Sequence, residues 1–92
     1  MNSIFIKNTP KCWWVYIVEC NDGTYYTGIA LDIRARMAKH ESGKGSKYIR
    51  SRLPIRLLWQ SECGTRALAS KEEYRIKQLS KKDKRKLIDA GL

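Results

Sequence analysis

The stretch from Trp14 to Ile29 commits this chain to antiparallel sheet before anything else is read. Trp14-Val15-Tyr16-Ile17-Val18-Glu19-Cys20 is dense in β-branched and aromatic residues, Asn21-Asp22-Gly23 is a turn signal, and Thr24-Tyr25-Tyr26-Thr27-Gly28-Ile29 is a second run of strand type. Register then depends on the turn, because a slip of one residue sends every side chain to the other face. A two-residue turn at Asp22-Gly23 would pair Tyr26 with Glu19 and put Tyr16 and Tyr26 on opposite faces. A three-residue loop, with Gly23 in the left-handed conformation after a type I turn, sets Cys20 opposite Thr24 and Val18 opposite Tyr26. Both tyrosines then share a face, and glycine in third place favours this register.

Downstream, Asp32 is placed to cap a helix over about residues 33 to 42, broken by Gly43-Lys44-Gly45-Ser46. At helical spacing Ile33, Arg36, Met37 and His40 fall on one stripe, which turns an arginine and the only histidine inward. Pro54 precedes a third strand, Ile55 to Ser61, and Gly64-Thr65 opens a second helix to about Ser80 with apolar residues Leu68, Ala69, Ile76 and Leu79. A lysine-rich segment from Lys81 reads as a further short helix carrying Leu87 and Ile88. The order β-β-α-β-α-α predicts an α+β fold, a small three-stranded, largely antiparallel sheet with helices packed on it. Between Glu41 and Arg52 the sequence reads as a flexible basic loop, with Lys44, Lys47, Arg50 and Arg52 suited to a phosphate backbone. Residues 1–12 lack periodicity and read as a short N-terminal tail, leaving residues 13–92 as a single domain.

Charge narrows the class of partner. Nineteen Lys and Arg against nine Asp and Glu give a net charge of +10 on 92 residues, a field that concentrates polyanions, so nucleic acid is the natural partner. Charged residues at 30% exclude a membrane-embedded chain. Cys12, Cys20 and Cys63 are odd in number and form no C-x-x-C pair, which argues against a disulfide framework and a zinc site. With no apolar leader after the short Ile4-Phe5-Ile6 run, a cytoplasmic location is expected.

Tyr16 in Trp14-Val15-Tyr16 and, ten residues on, Tyr26 in Tyr26-Thr27-Gly28 resemble the paired half-motifs of the GIY-YIG nucleases. Arg36 and His40 match that superfamily's helix arginine and the His or Tyr position after it. Glu73-Tyr74-Arg75-Ile76-Lys77 is similar to the segment where a glutamate precedes an Ile-Lys pair. His40 to Tyr48 and Arg52 to Leu57 look like the bacterial single-domain, excinuclease-like branch. The resemblance spans about residues 14 to 88. Ala35 departs from it, since that branch usually carries a second arginine there, and so does Ser80-Lys81-Lys82.

The resemblance implies a metal-dependent endonuclease acting on DNA, structure-specific or engaged in repair, with Tyr16, Tyr26, Arg36, His40 and Glu73 as the site. Phosphodiester hydrolysis builds negative charge on the phosphoryl oxygens. Arg36 would offer a permanently charged planar fork, Glu73 would hold Mg²⁺ or Mn²⁺, and the tyrosines would orient the water and take its proton. Which tyrosine is the base stays open; positive charge from Arg36, or a hydrogen bond to neutral His40, would favour a phenolate. Lys77 joins the loop cations as an expected nucleic-acid contact. Periodicity alone does not separate Glu73 from Glu72, which lies nearer the centre of the apolar stripe. Without a DNA-recognition domain, target choice would come from nucleic-acid shape or a protein partner. The alternative is a nucleic-acid-binding module that keeps the fold without turnover, and after it an adaptor docking through Trp13, Trp59 and the basic loop.

Overall fold

A computed structural model describes residues 11–91. The expected tail, apart from its last two residues, lies outside them. Strand β1 (Trp13–Glu19) forms the centre of a three-stranded antiparallel sheet, flanked by β2 (Tyr25–Ala30) and β3 (Arg56–Gly64) in the order β2-β1-β3. Helices α1 (Ile33–Glu41) and α2 (Lys47–Arg50) precede β3, and α3 (Arg66–Lys77) and α4 (Lys81–Ala90) follow it. The expected α+β architecture is present, with one helical turn more than the sequence suggested. Among the described residues no helix is long and apolar enough to cross a membrane.

The hairpin takes the three-residue register. Gly23 has φ 83, the Cys20 amide donates to the Thr24 carbonyl at 2.8 Å, and Val18 pairs with Tyr26. Asp22 completes the turn by accepting from the Thr24 amide and hydroxyl at 3.1 and 2.6 Å. These bonds, and after them Arg52, hold the Asp22 carboxyl below its ordinary value.

Because β1 is central, both its faces are covered, and Val15, Tyr16, Ile17 and Val18 are all buried. Tyr16, Val18 and Cys20 pack with Ala30, Ile49, Met37 and Leu53 on one face. Val15 and Ile17 pack with Ile76 and Ile88 on the other, so α3 and α4 close the side opposite α1 and α2. Polar side chains cap each main helix: Asp32 accepts from Ala35, Thr65 from Leu68 and Ser80 from Asp83.

Four expectations need correction. The segment from Glu41 to Arg52 is not simply a flexible loop: Ser46 caps α2, and Ile49 is fully buried as a plug against β1. Apolar burial of one residue of the four in α2 outweighs the glycines on its flank. Leu68 is 52% exposed and leaves the apolar stripe of α3 to Ala69 and Ile76. That helix ends at Lys77, since Ser80 is taken as the cap of α4. Strand β3 runs on to Gly64, whose φ of 90 turns the chain into α3.

Ile49→Ala should cost about 2–5 kcal/mol of stability, whereas Leu68→Ala should stay within about 0.5 kcal/mol. Urea unfolding of the two variants against the parent chain checks the contrast.

Candidate active site

Tyr16 anchors the site. Its Cα partner on β2 is Gly28, and the tyrosine ring lies over that glycine, so any Cβ there would sit on the Tyr16 hydroxyl. Glycine is thus required by close approach, not by backbone conformation. The ring is 1% exposed, and its hydroxyl shares a 2.9 Å hydrogen bond with Nε2 of His40. His40, at the last turn of α1, is itself 1% exposed and is walled on its other side by Gly45, where a Cβ would collide with Nδ1. Among the described residues no group hydrogen-bonds Nδ1.

Burial sets the protonation of this pair. It pushes the Tyr16 hydroxyl well up from its ordinary value of 10.0; Tyr26 adds to the rise, Arg36 opposes it and Glu73 adds a little more. Burial likewise lowers His40 from its ordinary 6.5, with Arg36 and then Lys39 repelling the imidazolium. At neutral pH both groups are uncharged. Positive charge from Arg36, expected to favour a phenolate at one of the two tyrosines, acts in that direction on Tyr16 and is outweighed there by desolvation. Neutral His40 agrees with the sequence reading.

Tyr26 completes an aromatic cluster. Its ring centroid lies 6.5 Å from Tyr16 and 5.8 Å from His40, edge-on to the imidazole. Unlike Tyr16 it is half-buried, and among the described residues its hydroxyl has no hydrogen-bond partner. Arg36, one turn before His40 on the same stripe of α1, is half-buried and makes no ion pair among the described residues. Its guanidinium borders a shallow hollow with Trp13, Leu31, Ala35 and Lys39.

The structure separates the two adjacent glutamates. Glu72 pairs with Arg75 and faces the β3 side, where it acts on the Cys63 thiol. Glu73 acts on Tyr16 and pairs with Lys77, 3.2 Å from Oε2. A step of 100° along α3 thus sends neighbouring carboxylates to different sites. Among the described residues no three His, Cys, Asp or Glu side chains gather as a metal cage. A single carboxylate such as Glu73 suits Mg²⁺, which keeps most of its waters and takes phosphate oxygens as ligands.

Of the expected nucleic-acid contacts, Lys44, Lys47 and Arg50 are exposed and make no ion pair among the described residues. Lys77 is tied to Glu73. Arg52 is half-exposed and already bound to Asp22 at 3.0 Å and to the Tyr48 carbonyl at 3.0 Å. Sequence reading passed over Gly28 and Gly45 as contact-makers; for Gly28 the signal was present, since the favoured register puts it opposite Tyr16. It also missed Tyr48, stacked on Tyr26 at 5.8 Å.

Comparison with known proteins gives three findings. Residues 12–87 match the model of the GIY-YIG catalytic domain. A UPF0213 protein of Desulfotalea psychrophila is 49% identical over 93 residues, covering 99% of this chain and 84% of its own, and one of Staphylococcus epidermidis is 47% identical over 78 residues, covering 85% and 95%. The solution NMR structure of the UPF0213 protein BH0048 from Bacillus halodurans aligns with a TM-score of 0.56 at 42% identity, over 86% of this chain and 84% of that one.

Acid should weaken the fold through His40. Its folded value lies below the ordinary 6.5, so the unfolded chain binds the proton more readily; the stabilisation is full above 6.5 and is lost as pH falls below it. Urea midpoints measured above and below that pH should drop on acidification for the parent chain and drop less for His40→Gln.

Proposed function

The chain belongs to the GIY-YIG nuclease family, and from that premise we propose that it is a metal-dependent endonuclease hydrolysing phosphodiester bonds in DNA. One observation carries the reading. Residues from β1, β2 and α1 meet in a single cluster, Tyr16, Tyr26 and His40, with Arg36 and Glu73 from separate helices both acting on its central hydroxyl. Packing alone does not require a free arginine and a carboxylate at a buried phenol.

In this mechanism Arg36 binds the scissile phosphate through its planar fork and opposes the charge that grows on the phosphoryl oxygens. Burial keeps Tyr16 protonated, so it holds the site's geometry through His40 and donates no negative charge to repel the substrate. Tyr26, the tyrosine that reaches the surface, orients the attacking water and takes its proton. The hydroxide forms the new P–O bond as the bond to the 3′-side oxygen breaks, and that oxygen takes a proton from solvent. Glu73 is the residue that would hold a divalent cation, which would supply Lewis-acid charge to the phosphodiester.

Lys44, Lys47 and Arg50 extend the positive surface next to the cluster and suit the phosphates that flank the cut. Such contacts carry no base information, so target choice rests on the shape of the nucleic acid or on a protein partner. DNA repair or processing of branched structures fits a site of this kind.

The test is cleavage of labelled single-stranded, duplex, flapped and four-way-junction DNAs and matched RNAs, with Mg²⁺, Mn²⁺ or EDTA. Cutting should require the metal, and Glu73→Gln should abolish it while leaving salt-sensitive binding intact. Binding without cutting in the parent chain would favour a non-catalytic module, and cutting of RNA alone would move the substrate class.

A further inference from the structure

We infer that Tyr48 and Arg52 are positioning residues that hold the Tyr26 ring in place for the reaction, an inference resting on the role given to Tyr26 above. The two tyrosines of the cluster are secured very differently. Tyr16 is buried on the central strand and hydrogen-bonded to His40. Tyr26 sits on β2, an outer strand, half-buried and with no hydrogen bond to its hydroxyl among the described residues. Its ring is oriented by packing, with His40 edge-on at 5.8 Å on the buried side and the Tyr48 ring stacked on it at 5.8 Å with an interplanar angle of 27°.

Tyr48 is in turn clamped. The Arg52 guanidinium carbon lies 3.8 Å from the centre of the Tyr48 ring. A guanidinium so close covers one face of the ring and limits its movement, although Tyr48 is 37% exposed. Arg52 also donates to the Tyr48 carbonyl at 3.0 Å and to Ser51 Oγ at 3.2 Å, closing the last turn of α2. Its Nε donates to Asp22 Oδ2 at 3.0 Å, and the Asn21 amide donates to the Arg52 carbonyl at 2.9 Å. Asp22 is itself set by its bonds to Thr24. A continuous series of contacts therefore runs from the hairpin turn through Arg52 and Tyr48 to the Tyr26 ring. The Tyr48 hydroxyl makes no hydrogen bond among the described residues, so the ring alone performs this task.

A reacting group misplaced by about 1 Å loses about 10²-fold in rate, and this sets the expected effect. Tyr48→Ala and Arg52→Ala should lower kcat for DNA cleavage about 10²-fold while KM and the salt dependence of binding stay unchanged. Tyr48→Phe should restore the parent rate. Asp22→Asn, which weakens the anchor without touching the stack, should give an intermediate loss. Thermal melting identifies any variant that fails to fold, and Tyr48→Phe together with Asp22→Asn then carries the comparison. A second measurement needs no turnover: NMR of the Tyr26 ring should show distinct edge environments in the parent chain and a freely averaging ring in Tyr48→Ala. Lost affinity for Arg52→Ala, with a salt slope reduced by about one, would instead make Arg52 a phosphate contact and overturn the inference. An unaltered Tyr26 ring in Tyr48→Ala would overturn it as well. If the parent chain cuts no substrate, the nuclease reading fails, and the ring measurement still decides whether the clamp exists.

Discussion

The hydrogen bond between Tyr16 and His40, made in full burial, is the interaction on which the rest of the molecule is arranged. Polar groups so deep must pair, because a lost partner costs about 1–3 kcal/mol. Satisfying that demand fixes the seat of α1 on the sheet and with it the direction of Arg36 one turn earlier. It also dictates two glycines. Gly28 leaves room for the tyrosine ring and Gly45 for the imidazole, so the site's floor and wall are defined by atoms that are missing.

Around this neutral centre the charges stand at the rim. Burial keeps Tyr16 protonated and His40 neutral, while Arg36, Glu73 and Lys77 occupy half-buried or exposed positions. Charges there keep much of their hydration and can be matched to a ligand's charges at lower desolvation cost than in the core. The same division explains why a chain with a net charge of +10 still builds a dry core. Among the described residues most of its cations lie on helix surfaces and on the segment around α2, and β1 carries as its one charge Glu19, half-buried and paired with Arg56 of β3 at 2.8 Å.

That segment also shows how a stretch of basic residues can serve two ends. Ile49 ties α2 into the core, and Arg52 ties its exit to the hairpin turn. Between them Lys47 and Arg50 remain exposed. A basic surface built this way is held in place by the burial of Ile49 and a half-exposed ion pair, so its cations would need less ordering on meeting a polyanion.

Much of this was legible from the residues in order. The strand composition and the position of Gly23 determined the hairpin and its register, because a glycine in third place matches a left-handed residue there, and the register in turn set Tyr16 and Tyr26 on one face. Helical spacing put Arg36 and His40 on the stripe that turns inward, since 100° per residue is a local property. What only the tertiary structure decided were the contacts between elements far apart in the chain. Glu72 and Glu73 are equivalent as acids on a helix, and their separation depends on which strand each meets. Arg52 and Arg50 are equivalent as cations in a basic segment, and only the approach of Asp22, thirty residues away, gives one of them an acidic partner. Protonation belongs to the same class: a tyrosine's chemistry follows from the water it loses, and burial is a property of the packed whole.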